Sequence, residues 1–61
     1  MSETLLPLRA VLACTSLSRS SVYRFMAEGT FPKPVALGTR KAWLESEVSE
    51  WIDARIAERA A

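Results

Sequence analysis

Residues 8–34 read Leu8-Arg-Ala-Val-Leu-Ala-Cys14, then Thr15-Ser-Leu17, then Ser18-Arg-Ser-Ser-Val-Tyr-Arg-Phe-Met-Ala-Glu-Gly29, then Thr30-Phe-Pro-Lys-Pro34. This wording predicts a short apolar helix, a tight polar turn, and a second helix that starts on a serine cap and stops on a glycine. Leu8, Val11 and Leu12 stand at i, i+3 and i+4, so they share one face of the first helix, expected over about Leu8 to Cys14. Leu17 is expected to plug the core between the helices. The Ser18 hydroxyl suits an N-cap because it can accept from a free backbone N–H. Gly29 suits the left-handed position that closes a helix. Two such helices joined by so short a turn are a helix-turn-helix, whose second helix is built to lie in a DNA major groove.

The second helix has two faces. At about 100° per residue, Val22, Phe25 and Met26 cluster within a third of the circumference. Ser20, Tyr23, Arg24 and Ala27 lie opposite. The first set is the expected core face; the second is small and basic.

Downstream, Pro32 and Pro34 oppose helix and favour extended backbone around Lys33. Val35-Ala36-Leu37 and Lys41-Ala42-Trp43 are strand candidates, with Gly38-Thr39-Arg40 as a three-residue hairpin loop. An irregular loop is the alternative. A third helix is expected from about Glu45 to Ala60. Val48, Trp51, Ile52 and Ile56 follow the helical period, with Leu44 in phase before them. Glu45, Glu47 and Glu50 lie early in it and Arg55 and Arg59 late, as the helix dipole favours. Arg55 and Arg59 fall on the apolar stripe, with methylenes over the core rim or lining a protein-partner surface. Met1 to Pro7 is expected to be a flexible arm, with Leu5 or Leu6 covering the core edge, and residues 8–61 to be the domain.

Composition narrows the class. A chain of 61 residues is one small domain, and 49% hydrophobic residues are enough for a thin core. The apolar runs are too short for a membrane span. Nothing in Met1 to Pro7 resembles a signal peptide. One cysteine and no histidine do not make a metal site, and no cofactor is implied. The expected setting is a reducing cytoplasm. Charge is segregated: Arg9, Arg19, Arg24, Lys33, Arg40 and Lys41 oppose only Glu3 and Glu28 in residues 1–41, a balance of +4. Arg55 and Arg59 oppose five acidic residues in 42–61, a balance of −3. A basic front suits a polyanion, although solvated charge would look the same. Catalysis is disfavoured. Histidine is missing as a general base, the serines lack an activating partner, and there is no glycine-rich phosphate loop.

Helix, turn, helix, two-stranded wing and amphipathic helix make a mostly α fold, a small winged helix-turn-helix of three helices and a β-hairpin. The wording goes further. Leu17-Ser18-Arg19-Ser20-Ser21-Val22-Tyr23-Arg24, Glu28-Gly29, Phe31-Pro32-Lys33-Pro34-Val35, Leu37-Gly38 and Trp43-Leu44-Glu45-Ser46-Glu47-Val48-Ser49-Glu50-Trp51-Ile52 resemble the AlpA-type prophage regulators. These are similar to phage excisionases and to the DNA-binding heads of MerR-type regulators. The resemblance covers roughly residues 8–55. It implies a sequence-specific double-stranded DNA-binding regulator. Two alternatives stand beside it: an excisionase that bends DNA and directs an integrase, and a protein-interaction module using the third helix. The chain departs from the family by Ser16 in a turn that tends to hold glycine, and by a stretch from Gly38 to Trp43 one residue shorter than usual.

The candidate DNA contacts follow. Arg24 has the reach for a bidentate bond to guanine O6 and N7, or for a phosphate. Tyr23 suits a phosphate, a thymine methyl, or partial core packing. Ser20 and Ser21 are small enough for close approach, and Ser18 and Ser20 sit where backbone N–H groups hold a phosphate. Arg19 is expected on phosphate. Thr39, Arg40 and Lys41 at the hairpin tip are expected on the neighbouring backbone or minor groove, unless they are ordinary solvated charge. Lys33 is a weaker phosphate candidate. The partners expected are duplex DNA and an integrase or RNA polymerase, with the chain monomeric when free and cooperative on DNA.

Overall fold

In the computed structural model, which describes residues 3–60, helix α1 runs Leu8–Thr15 and helix α2 runs Arg19–Glu28. The turn between them is closed by local hydrogen bonds. Ser16 adopts the left-handed conformation, φ 60 and ψ 21, and its N–H donates to Leu12 O at 2.8 Å. That geometry costs a non-glycine residue roughly 1–2 kcal/mol, which explains a preference for glycine there. Thr15 Oγ1 donates back to Val11 O at 2.8 Å and accepts from Leu17 N–H at 3.3 Å. Ser18 caps α2 as expected, its Oγ accepting from Ser21 N–H at 3.1 Å. Gly29, at φ 81, ends α2 in a Schellman arrangement. Its N–H donates to Met26 O at 3.1 Å, and Thr30 N–H donates to Phe25 O at 2.9 Å.

Strand β1 is Leu5–Leu6, β2 is Val35–Leu37 and β3 is Arg40–Leu44; they form one antiparallel sheet in the order β1-β3-β2. Two expectations are corrected here. The arm expected over residues 1–7 is a strand at Leu5–Leu6, paired Leu5 to Leu44 and Leu6 to Trp43, and the ladder continues as Glu45 N–H donates to Thr4 O at 2.8 Å. A two-residue strand has too little pattern to see in sequence, and its partner lies at the far end of the chain. Met1, Ser2 and Ala61 lie outside the described residues. The hairpin loop is Gly38-Thr39 alone, because Arg40 pairs with Leu37 inside the ladder. Gly38, at φ +64, supplies the positive φ of a tight two-residue turn, and Thr39 needs none.

Helix α3 spans Glu45–Ala60, with Glu45 and Glu47 in its first turn and Arg59 in its last. The core is Val11, Val22, Phe31, Trp43 and Val48, all at most 3% exposed. Leu6, Leu8, Leu12, Leu17, Phe25, Met26, Trp51 and Ile52 pack half-buried around it. Trp43 is the anchor, and its indole N–H donates to Pro32 O at 3.1 Å. The apolar stripe of α3 is covered only in its first half. Val48 is buried, Trp51 and Ile52 are half-buried, and Ile56 is 56% exposed. The helix is roughly 24 Å long at 1.5 Å per residue and outruns the elements that cover it.

Candidate nucleic-acid interface

Strand alternation decides which way each basic residue of the wing points. Successive side chains in a strand take opposite faces, and cross-strand partners share one. Trp43 and Leu6 therefore face the helices, and Lys41 and Ala36 continue that face toward the tip. Arg40, Leu37, Val35 and Ala42 take the other face. Adjacent in sequence, Arg40 and Lys41 are separated by the sheet.

The face shared by Lys41 and Ala36 meets α2. Between them runs a groove of about 450 Å³ whose walls include Tyr23, Ala27, Lys33, Pro34, Ala36 and Lys41. Tyr23 and Ala27 come from the exposed side of α2, and Met26 completes the floor. Pro34 and Ala36 carry the chain out of the proline segment into the wing. The floor is thus largely apolar, with the phenol of Tyr23 and two ammonium groups on it. Sequence reading found the lysines and the tyrosine but not the floor. The missing signal was the loop length: a two-residue turn at Gly38-Thr39 puts Ala36 opposite Lys41 and aligns both with α2.

On α2 itself, Arg19, Ser20, Tyr23, Arg24 and Ala27 are all exposed. Tyr23 is 39% exposed and lines the groove beside Met26. Arg24 is not in the lining of the groove, and its Cζ lies 5.2 Å from the centroid of the Phe25 ring. Ser21 belongs to the cap. It is half-buried, its N–H donates to Ser18 Oγ, and its own Oγ accepts from Ser18 Oγ at 3.0 Å. Of the nine residues expected at the interface, Tyr23, Lys33 and Lys41 are gathered on the groove. Arg19, Ser20 and Arg24 lie along α2, Thr39 sits in the tip, and Arg40 faces away.

Electrostatically the surface is uncommitted. Among the described residues, Arg19, Arg24, Lys33, Arg40 and Lys41 make no ion pair; the pair present is Arg55 with Glu58 on α3. Glu28, at the end of α2, is the one acidic residue on either element. Cations without ion pairs, beside small residues at a helix start and next to a groove with lysines on it, can bind a polyanion without first breaking a salt bridge. The described residues hold no group of three or more His, Cys, Asp or Glu that would suit a metal ion. No described helix is long and apolar enough to cross a membrane.

Residues 4–56 match the family model described as prophage CP4-57 regulatory protein (AlpA). The chain is also 43% identical over 58 residues to the protein named uncharacterized protein ORF88 of Enterobacteria phage P4. That match covers 93% of this chain and 66% of the phage protein, so the chain spans just under two thirds of its relative's length.

Proposed function

The chain belongs to the AlpA family of prophage regulatory proteins, and from that membership we propose that it is a sequence-specific regulator that binds double-stranded DNA through α2 and the wing. The observation that carries this reading is the free basic surface. Arg19, Ser20, Tyr23 and Arg24 stand exposed on one helix, with Lys33 and Lys41 on the adjoining groove and no ion pair among them. In this reading α2 enters the major groove. Ser20 and Ala27 permit close approach, and Arg24 swings off Phe25 to meet a guanine edge. Lys33, Lys41 and Arg19 take phosphates; the sugar–phosphate strand lies on the apolar floor between helix and wing. Thr39 reaches the neighbouring backbone. Arg40, on the far face of the wing, is reassigned to a peripheral phosphate contact. Occupancy of a promoter or attachment region in a bacterial cytoplasm would then regulate transcription. The chain is read as a free monomer that binds adjacent direct repeats cooperatively, each copy supplying one reading helix.

A salt titration of binding to duplex DNA tests the reading. Neutralising about five to seven phosphates gives a slope of log K against log salt near −5. A flat response would remove the polyanion from the account.

A further inference from the structure

A second groove, of about 460 Å³, lies between the end of α1 and the uncovered half of α3. Thr15, Trp51, Ile52, Arg55, Ile56 and Arg59 line it, and it shares no residue with the groove beside the wing. Its floor is aromatic and aliphatic, and Ile56 is 56% exposed. Two arginines and no acidic residue are in its lining, while Glu45, Glu47, Glu50, Asp53 and Glu58 occupy the rest of α3. Arg55 lies with Cζ 5.2 Å from the Trp51 ring centroid while bonding Glu58 at 2.7 Å, and Arg59 makes no ion pair among the described residues. Trp51 also carries the only buried side-chain polar atom without a hydrogen-bond partner among the described residues, its indole N–H. Tryptophan and arginine around an aliphatic floor are the residues that concentrate binding energy at protein contacts.

We propose that this groove is a docking site for another protein, and that its occupant is an amphipathic segment with apolar side chains flanked by carboxylates. The charge selects the occupant. A second copy of this chain, docked by a two-fold contact, would set the arginines of one groove against the same arginines of the other. Duplex DNA would satisfy the arginines but leave Ile52 and Ile56 without apolar partners. An acidic, apolar segment satisfies both. The chain would then be an adaptor, holding DNA on α2 and a protein on α3. This goes beyond the DNA-binding reading and stands without it, because the groove needs no DNA to be tested.

The test uses the whole chain labelled with ¹⁵N and a synthetic helical peptide. The peptide carries leucines at i, i+3, i+4 and i+7, and aspartates and glutamates elsewhere; a control peptide carries lysines in place of the acids. Titration with the acidic peptide should move the Trp51 indole N–H resonance and the amides around Ile56. The Trp43 indole, already bonded to Pro32, should stay still. The lysine peptide should bind at least about fivefold more weakly, and the Arg55→Glu, Arg59→Glu double variant should reverse the preference. Ile56→Asp should abolish the shifts; because Ile56 is exposed, its melting curve should match the parent's, showing that the fold is intact. The proposal is overturned if neither peptide moves the Trp51 resonance or if both bind equally. It is also overturned if the shifts fall on Ser20 and Tyr23, if the groove resonances depend on protein concentration alone, or if duplex DNA protects Ile56 and Arg59.

Discussion

Trp43 and Trp51 sit eight residues apart in sequence and in different worlds physically. Trp43 is 1% exposed, lies at the centre of a three-stranded sheet, and has its indole N–H bonded to Pro32 O at 3.1 Å. Trp51 is half-buried at the rim. Its ring meets Phe31 edge-on at 5.0 Å and Phe25 at 6.2 Å, its N–H has no acceptor, and a cation lies over it. Helical periodicity makes Trp51 look like the main anchor of α3, because it falls on the apolar stripe with Val48, Ile52 and Ile56. Periodicity identifies a face, however, and says nothing of how much of that face another element covers. The sheet covers Val48, and α3 then runs past it. One tryptophan organises the fold, while the other stays half-buried at its rim.

The largest expected effect separates the two. Trp43→Ala removes a fully buried aromatic and should cost about 3–5 kcal/mol. That is comparable to the whole stability of a small single-core domain, so the variant should be unfolded by circular dichroism at room temperature. Trp51→Ala uncovers Phe31 at the edge of the core but keeps Trp43 in place, and should remain folded with a clearly lowered melting temperature. If the two variants melt alike, the distinction between centre and rim fails.

The next effect concerns the turn signals. Ser18→Ala removes the side-chain acceptor for Ser21 N–H and should cost about 1 kcal/mol in chemical denaturation. Smaller and opposite in sign, Ser16→Gly should relieve the left-handed strain at φ 60. The gain is partly offset by the extra freedom of glycine in the unfolded chain, leaving about 0.5 kcal/mol of stabilisation. Destabilisation by Ser16→Gly would mean that the serine side chain contributes more than the backbone strain removes.

These local devices were the legible part of the fold. The Ser18 cap, the Gly29 stop and the bounds of α2 and α3 follow from nearest neighbours in sequence, where one residue type answers one backbone need; Ser16 stood out only against the glycine of the family the chain resembles. β1 was not legible, because its two leucines acquire meaning only against Trp43 and Leu44. The reach of the core along α3 was hidden for the same non-local reason. At the candidate interface, the exposed face of α2 was readable from its period. The two strands of the wing were readable as well, but not their register, since shifting the loop by one residue exchanges the faces of Arg40 and Lys41. The basic residues were therefore identified by type, and only the register separates the one on the groove from the one behind it.

The central claim is that α2 reads sequence while the groove-lining lysines hold the backbone, and one comparison tests it most directly. Arg24→Ala and Lys41→Ala should each be titrated against the site found by footprinting the DNA flanking the gene, and against random duplex of equal length. Arg24→Ala should lose about 1–3 kcal/mol on the footprinted site and much less on random DNA. Lys41→Ala should weaken both similarly and lower the salt slope by about 1. Loss of discrimination by Lys41→Ala, with Arg24→Ala weakening both duplexes alike, would contradict the account and move sequence reading from the helix to the wing.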